Sequence, residues 1–363
     1  MKVNSVNITK FRNITDLNLQ PCDGVNVVYG ENAQGKTNIL ESLWLFTGCK
    51  SFRGAKDAEF IPFNEDFSKI SIEFSDNLRE KKSEIIISPK KKSVTHNGVS
   101  LNSAAELIST FYAVIFSPVH LSLIKDGPNM RRKFIDTALC QLKPAYADRL
   151  SDYKRCLIQR NALLKDLHLN PGLYDVLDTW DDQLARLSAY VIKDRLKYIE
   201  LLSSYSAEIY GGISENRESF SVFYSKDDYK SLSPAEIYAL ELERLKKARK
   251  DDVIFKSTSV GPHRDDIEIK INSVSARSFG SQGQQRSCAL ALKLGESEII
   301  RKITGETPVA LLDDVMSELD EKRQDYILNH IKDRQVFLTC CDPSQVLRLC
   351  EGKSFLIKNG GLA

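Results

Sequence analysis

The spacing of apolar residues in the first third of the chain predicts strands that lead into a helix. Val6 and Ile8 alternate with polar neighbours, and residues 14–19 repeat this alternation. Val25 to Tyr29 is a short, almost continuously apolar run, which is typical of a buried central strand. A polar, glycine-bearing loop follows, and then apolar residues at helical spacing from Leu40 to Phe46. The chain therefore begins as an α/β unit.

Six further strands are predicted from the same kind of pattern. The expected strands are 70–74, 85–87, 111–116, 267–271 and 309–312, with one more at 336–338 near the end. Asn97-Gly98 indicates a tight hairpin turn. A long helix is expected after Gln284, and Ser233 with Glu236 forms a capping-box pattern at the start of another helix.

The middle third has helical spacing with a narrow apolar seam. Large apolar residues recur in steps of three and four from Tyr146 to Leu167 and again from Leu177 to Tyr205, with Arg160 and Asp194 at two of the seam positions. Asn170-Pro171-Gly172 separates the two series, so we expect an antiparallel helical hairpin about 40 Å long. The spacing fits a projecting arm and an ordinary helical subdomain equally well.

The predicted fold class is α/β, with a helical lobe inserted into one α/β unit. The expected segments are 1–118 and 251–363 for the two parts of the α/β lobe and 119–250 for the helical lobe. Composition is consistent with two packed lobes, because the 363 residues are 42% apolar and 28% charged, which excludes intrinsic disorder.

Composition also narrows the location and the class of protein. No apolar stretch approaches the roughly 18 to 20 residues of a membrane helix, and the first residues lack the apolar core of a signal peptide. The 8 cysteines include no CxxC pair, so we expect reduced thiols in a cytoplasmic protein that makes no membrane contact. The net charge of +2 indicates no partner by itself.

A phosphate-binding motif follows the first buried strand. Residues 30–37, GENAQGKT, match G-x-x-x-x-G-K-[ST] between a strand and a helix, where glycines let backbone N–H groups point at phosphates. Lys36 is predicted to neutralise the β- and γ-phosphates of ATP, and Thr37 to bind Mg²⁺. The nucleotide-binding residues expected here are Gly30, Glu31, Asn32, Ala33, Gln34, Gly35, Lys36, Thr37 and Asn38.

Two carboxylates end a later strand. Asp313 and Asp314 follow the apolar run 309–312. Asp313 is predicted to bind the magnesium ion through its water shell, and Asp314 to polarise the attacking water as a catalytic residue together with Lys36. Taken alone, an acidic pair at this place is more often a helix cap, but a P-loop requires such a partner.

A second polar, glycine-bearing turn opens a helix near residue 281. Ser281, Gly283 and Gln284 combine a hydroxyl with free N–H groups at a helix N-terminus, which is an anion site. One nucleotide does not need two phosphate sites from one subunit. We therefore expect a symmetric homodimer in which each γ-phosphate contacts the P-loop of one chain and this turn of the other.

Together these motifs resemble the ATP-binding-cassette ATPases, with residues 281–284 as the signature and 317–320 as the D-loop. The segments 10–13, 35–41, 51–53, 261–266, 280–286 and 311–314 are similar to the RecF family of bacterial recombination mediators. That resemblance implies a head like those of Rad50 and the SMC proteins. It also implies ATP-dependent DNA binding at single-strand gaps and junctions with duplex, action with RecR and RecO in loading RecA, and a role in the SOS response.

The resemblance places Arg12 near the adenine or ribose, and it comes with three departures from the cassette pattern. The catalytic acid is Asp314 instead of a glutamate, no switch histidine follows the strand 336–338, and no glutamine follows Phe116. We therefore expect slow hydrolysis, at most a weak DNA-dependent ATPase, with ATP acting as a timed clamp.

Local charge differs from the near-neutral total. Residues 131–165 carry nine basic and three acidic residues, and residues 79–92 carry six and two, so both segments are candidates for DNA contact. Residues 304–325 carry seven acids and two bases around the predicted magnesium site. Two other interpretations stay open: the ATPase subunit of a membrane transporter, and a binding module with a degenerate ATP site.

Overall fold

The structure is a computed structural model that describes residues 1–121, 123–167, 170–344 and 352–363. Its strands are β1 (Lys2–Phe11), β2 (Ile14–Leu19), β3 (Val25–Tyr29), β4 (Ser68–Ser75), β5 (Glu80–Ile87), β6 (Lys92–His96), β7 (Val99–Leu101), β8 (Ala113–Phe116), β9 (Phe220–Tyr224), β10 (Ile267–Ile271), β11 (Val274–Ser275), β12 (Val309–Asp313), β13 (Val336–Cys340), β14 (Gly352–Lys358) and β15 (Gly361–Leu362). Its helices are α1 (Lys36–Trp44), α2 (Pro118–Leu121), α3 (Pro128–Leu142), α4 (Pro144–Asp166), α5 (Val176–Ser214), α6 (Pro234–Phe255), α7 (Ala276–Phe279), α8 (Gln282–Thr304) and α9 (Glu321–His330).

A largely parallel sheet forms the centre of the α/β lobe. Its order is β15-β14-β3-β13-β12-β8, and only the short β15 runs antiparallel to its neighbour. Strands β12 and β8 are buried along their whole length, which explains why they are continuous apolar runs in the sequence. The carboxyl ends of β3, β13 and β12 therefore lie side by side.

A second, antiparallel sheet has the order β2-β1-β4-β5-β6-β7. The predicted hairpin turn is confirmed between β6 and β7, where Asn97 and Gly98 both have positive φ angles of 50° and 81°. The pattern did not indicate β14 and β15. In β14 only Phe355 and Ile357 are buried, and its other residues are exposed.

The helical lobe contains the predicted antiparallel pair, α4 and α5, and a third helix, α6, packs on α5. The helical pair is longer than the expected 40 Å, because α5 has 39 residues and spans about 58 Å. The second half of α5 lies on α8, where Gly295 is so close to Ser206 that a Cβ would meet the serine Oγ at 2.5 Å. The lobe is therefore a packed helical subdomain rather than a projecting two-helix arm.

Ion pairs occupy the two polar positions of the apolar seam. The Arg160 guanidinium contacts Asp181 at 2.7 Å and Asp252 at 2.8 Å, with all three side chains fully buried, so it joins α4, α5 and α6. Asp194 contacts Lys143 at 2.6 Å. Removing one member of a buried pair leaves an uncompensated charge, so these contacts fix which helix faces meet.

We propose that the division at residues 118 and 250 separates the α/β lobe from the helical lobe. The small sheet β11-β10-β9 joins the two segments, because β9 precedes the second boundary and pairs with β10 after it.

The turn at residues 261–266 holds the helical lobe in place. Arg195 of α5 is buried, donates to the Pro262 carbonyl at 2.6 Å and pairs with Asp136 of α3 at 2.9 Å. Arg131 of α3 pairs with Asp266 at 2.7 Å. Gly261 has φ 127°, and a Cβ there would meet the Tyr153 hydroxyl at 2.6 Å, so only glycine fits. The GPHRDD segment is thus the junction of α3, α4 and α5.

His263 of this turn makes folding stability depend on pH. Its ring accepts at Nδ1 from the Tyr153 hydroxyl (2.5 Å) and donates from Nε2 to the Thr258 carbonyl (3.0 Å), and burial lowers its pKa from 6.5 to about 4. The unfolded chain then binds the proton more tightly. The stability present above pH 6.5 is lost as the pH falls towards 4, by up to about 3 kcal/mol.

The substitution His263→Gln tests this, because glutamine can keep both hydrogen bonds without titrating. Urea unfolding between pH 7 and pH 4 should show a shallower loss of stability in the variant than in the unsubstituted protein. Equal slopes would show that the ring is not held neutral by its surroundings.

Candidate functional site

The loop between β3 and α1 has the backbone of a phosphate site. Gly30, Ala33 and Gly35 have positive φ angles of 147°, 65° and 107°, and these curl the loop inward. Within the described part of the chain, the backbone N–H groups of residues 32–37 have no hydrogen-bond acceptor. A row of free donors at the first turn of a helix is an arrangement that can bind an anion, and the phosphate-binding role of these residues stays a prediction.

Lys36 lies across this loop. Its side chain is 4% exposed, and Nζ donates to the carbonyl oxygens of Gly30 at 2.7 Å and Glu31 at 3.0 Å. The thiol of Cys341 lies 3.8 Å from Nζ and 3.3 Å from the Asn32 amide oxygen. Cys341, the residue after β13, therefore contacts the P-loop.

Asp313 connects two strands, β12 and β13, with the start of helix α1. Its Oδ1 accepts from the Thr37 hydroxyl at 2.7 Å and from the Thr339 hydroxyl at 3.1 Å. Burial raises the pKa of Asp313, and the two hydroxyl hydrogen bonds oppose that shift. The structure thus brings Thr37 and Asp313 together as predicted, and β13 supplies Thr339, which the sequence reasoning missed.

Asp314 follows in a strained conformation. Its φ is 48°, unusual for a residue other than glycine, and its N–H donates to the Thr339 hydroxyl at 2.9 Å. Its carbonyl accepts from the Ser317 hydroxyl at 2.8 Å, which ties it to the D-loop segment. The side chain is half-buried beside Asp313. Strain at this position is consistent with a carboxylate aimed by its backbone.

The segment that contains Arg12 and Asn13 contacts the P-loop and helix α1. Asn13 donates to the Ala33 carbonyl at 2.9 Å and accepts from the Asn38 amide at 2.7 Å. Arg12 pairs at 2.7 Å with Glu41 of α1, a carboxylate with no exposed surface. The structure thus places Arg12 and Asn38 beside the P-loop, and Asn13 and Glu41 are supporting residues that the sequence reasoning did not select.

The end of the chain forms another wall of the site. The Gln34 amide oxygen accepts from the Asn359 N–H at 2.5 Å, and a Cβ on Gly30 would meet the Ile357 carbonyl at 2.4 Å. Pattern analysis did not detect this wall because it did not detect β14.

The serine turn caps α8 and contacts none of the P-loop residues in the described part of its own chain. The Ser281 hydroxyl accepts from the Gln284 N–H at 3.2 Å, and the Gln284 side chain accepts from the Ser281 N–H at 2.8 Å. Ser281 is exposed. The Gly283 carbonyl accepts from Arg323 at 3.1 Å, which connects the turn to α9.

The two basic segments are less available than their charge counts indicate. Arg131 and Arg160 are buried in ion pairs, and Lys143 pairs with Asp194. In the other segment, Lys82 pairs with Glu73 and Lys92 with Asp57. The formal charges of +6 and +4 therefore overstate what a nucleic acid could contact.

Comparison with known proteins agrees with this geometry. The sequence profile of the family described as RecF/RecN/SMC N terminal domain matches residues 2–353. The DNA replication and repair protein RecF of Agathobacter rectalis is 41% identical over 94% of this chain and 92% of its own. The chain belongs to the RecF family. RecF of Lachnospira eligens is 38% identical over 99% of this chain and 98% of its own.

Solved structures give the same assignment. The recombination mediator protein RecF-ATP of the RecFOR pathway superposes with a TM-score of 0.91 at 37% identity, over 100% of this chain and 97% of that one. A Pyrococcus furiosus Smc head domain, 15% identical with a TM-score of 0.56 over 99% and 95% of the chains, shows the shared ATPase-head fold. The RecF relatives do not favour the transporter interpretation. No helix in the described ranges is both long and apolar enough to cross a membrane.

The seven described cysteines are free thiols, as expected, and Cys350 lies outside the described residues. No glutamine follows β8 in the structure either: Ser117 there contacts Nδ1 of His120 at 2.9 Å.

The role of Asn13 can be tested by Asn13→Ala. The substitution removes the two contacts that hold the strained P-loop, so the loop should sample conformations in which its N–H groups diverge. Affinity for a fluorescent ATP analogue should fall about tenfold, which corresponds to about 1.4 kcal/mol.

The matched control is Asn18→Ala, which removes an exposed side-chain hydrogen bond to Asn7 on the same sheet. It should leave nucleotide affinity unchanged. Equal affinities in both variants would mean that Asn13 does not position the loop.

Proposed function

We propose that this protein is an ATP-driven DNA clamp of RecF type, which acts in DNA replication and recombinational repair. The observation that carries the proposal is the contact between Thr37 and Asp313 beside a loop of unpartnered N–H donors. This arrangement requires a polyphosphate and a divalent cation to complete it. The RecF-ATP structure, similar over the whole chain, supports ATP as the nucleotide.

Each residue of the site then has a distinct task. The N–H groups of residues 32–37 bind the β-phosphate, and Lys36 exchanges its carbonyl acceptors for β- and γ-phosphate oxygens. Asn13 and Asn38 keep the loop in its binding conformation, and Arg12, paired with Glu41, borders the nucleotide.

The donor set fits Mg²⁺. The Thr37 hydroxyl and the Asp313 carboxylate are hard oxygen donors at hydrogen-bond distance from each other, and burial of Asp313 without a basic partner favours a cation there. When bound, the ion would neutralise charge on the phosphates and orient the γ-phosphate.

Hydrolysis would be slow because the general base is short. Asp314 is one methylene shorter than glutamate, and its backbone is held by Thr339 and Ser317, so its reach to a water at the γ-phosphate is restricted. A weak DNA-dependent ATPase that times release of the clamp follows from this.

The signature turn supports an ATP-dependent homodimer. Ser281, Gly283 and Gln284 make no hydrogen bond to their own P-loop in the described residues, and Ser281 is exposed while the other two are half-buried, so a second chain can bring its γ-phosphate to this turn. DNA at gaps and junctions, RecR, RecO and RecA belong to the same proposal, as do the SOS response and a cytoplasmic location. The RecF relatives support DNA repair as the process.

Complementation between two defective variants tests the shared site. Lys36→Ala should abolish ATP binding, whereas Ser281→Arg should bind ATP and fail to dimerise, because an arginine side chain blocks the approach of the second chain. Sedimentation with ATP and Mg²⁺ should show monomers for each variant alone. An equimolar mixture should form dimers held by one composite site, with DNA binding increasing in parallel.

Three outcomes separate the competing functions. A monomer under all conditions in the unsubstituted protein would contradict the clamp. Dimerisation without any turnover when DNA is present would favour the module with a degenerate site. Capture by membrane fractions in an ATP-dependent manner would revive the transporter.

A further inference from the structure

We infer that the cavity between the α/β lobe and the helical lobe is a second binding site, for a nucleoside monophosphate. The cavity has a volume of about 600 Å³, within the range of small-molecule sites. It is separate from the P-loop, since residues 30–38 do not line it. Its ligand is either a free nucleotide or the terminal nucleotide of a DNA strand, because both present the same chemistry.

The walls of the cavity are held by the fold. On one side is the loop after α1, where the Trp44 indole donates to the Lys50 carbonyl at 2.9 Å. Gly48 is packed so closely that a Cβ would meet the backbone N of Ile108 at 2.8 Å. On the other side are one face of α3 and one face of α4, fixed by the Arg195 pair with Asp136.

The charge around the cavity is unbalanced. Lys50, Arg132, Lys133 and Lys154 line it, and none of the four has a carboxylate within ion-pair distance in the described part of the chain. Arg132 donates to the Asp265 carbonyl and Lys133 only to the Phe52 carbonyl at 3.5 Å. The single acid in the lining, Asp136, is occupied by Arg195.

Four cations in a concave site, none of them in an ion pair in the described part of the chain, favour a dianion and disfavour a metal ion. Most basic residues of the segment 131–165 that lie outside the cavity form ion pairs, whereas those that line the cavity form none in the described part of the chain.

The floor of the cavity is apolar. Ile108, Leu150 and the two thiols Cys49 and Cys140 line it, and Tyr153 lies beside His263 in the same wall. Burial raises the pKa of both thiols, so they are neutral and behave as small apolar groups. A nucleotide fits both halves of the site, because its flat, apolar base packs against this floor and its phosphate lies among the lysines. Inorganic phosphate would leave the floor uncovered.

Ligand in this cavity would connect the two lobes. Lys50 follows α1, which begins at the P-loop lysine, and Lys154 lies on α4 of the helical lobe. A phosphate that contacts both would favour one orientation of the lobes, and thereby bias the surface that the second chain meets.

The experiment uses fluorescence anisotropy with a labelled deoxyadenosine 5′-monophosphate, which lacks the β-phosphate that the P-loop holds. The double variant Lys133→Gln with Lys154→Gln should lose about tenfold or more in affinity. The charge-matched control is Lys250→Gln with Lys302→Gln, on exposed faces of α6 and α8, and should bind within about twofold of the unsubstituted protein.

Two arms identify the source of the nucleotide. If oligonucleotides of identical sequence compete better with a terminal phosphate than without one, the strand end is the ligand. Equal competition, with the free mononucleotide still bound, identifies the free nucleotide. Both outcomes support a site in the cavity.

An independent measurement locates the ligand. The mononucleotide should protect Lys50 and Lys154 from acetylation and leave Lys302 reactive, as read by mass spectrometry. Lys36→Ala should retain mononucleotide binding, so that loss of the ATP site and loss of this site are distinguishable. No binding at millimolar concentration, or binding that Lys36→Ala abolishes and the cavity double variant retains, would overturn the inference.

Discussion

The carboxylate of Asp313 is the contact on which the nucleotide site depends. It joins β12 to the start of α1 through Thr37 and to β13 through Thr339, so one buried carboxylate fixes the relative positions of the ends of three elements. A buried carboxylate held only by hydroxyls is costly, as its raised pKa shows. We propose that a bound cation relieves that cost, because Asp313 forms no ion pair in the described part of the chain.

A comparable constraint operates at the junction of the lobes, with the opposite solution. There buried charges are paired: Arg195 with Asp136, Arg131 with Asp266, and Lys226 with Glu241 at 2.7 Å. Paired networks of this kind fix geometry at little net gain in stability. The charges at the junction are thus neutralised within the protein, whereas Lys36 and Asp313 form no ion pair in the described part of the chain.

The features that could be predicted from the sequence are those encoded by a few neighbouring residues. The P-loop, the Asp313–Asp314 pair, the capping box at Ser233 and the hairpin at Asn97 each depend on a few consecutive residues, and each was predicted. Thr339, Asn13, Glu41 and β14 were missed because their roles arise only when distant strands align. Thr339 is one ordinary polar residue in an apolar strand until the parallel register places it opposite Asp313.

A charge count along the sequence has a related limit, because it overestimates the charge that is available for binding. A count along residues 131–165 treats nine basic residues as equivalent, but their surroundings divide them into three kinds. Arg160 is buried in ion pairs inside the helical lobe, and Lys143 pairs with an aspartate of a neighbouring helix. Lys133 and Lys154 line an apolar cavity and form no ion pair in the described part of the chain. Only the last kind can attract an anion at close range, because a paired charge presents a dipole whose field decays faster with distance. The relevant quantity for recognition is therefore the unpaired charge per concave surface, and Lys50, Arg132, Lys133 and Lys154 place such charge in the cavity where the two lobes meet.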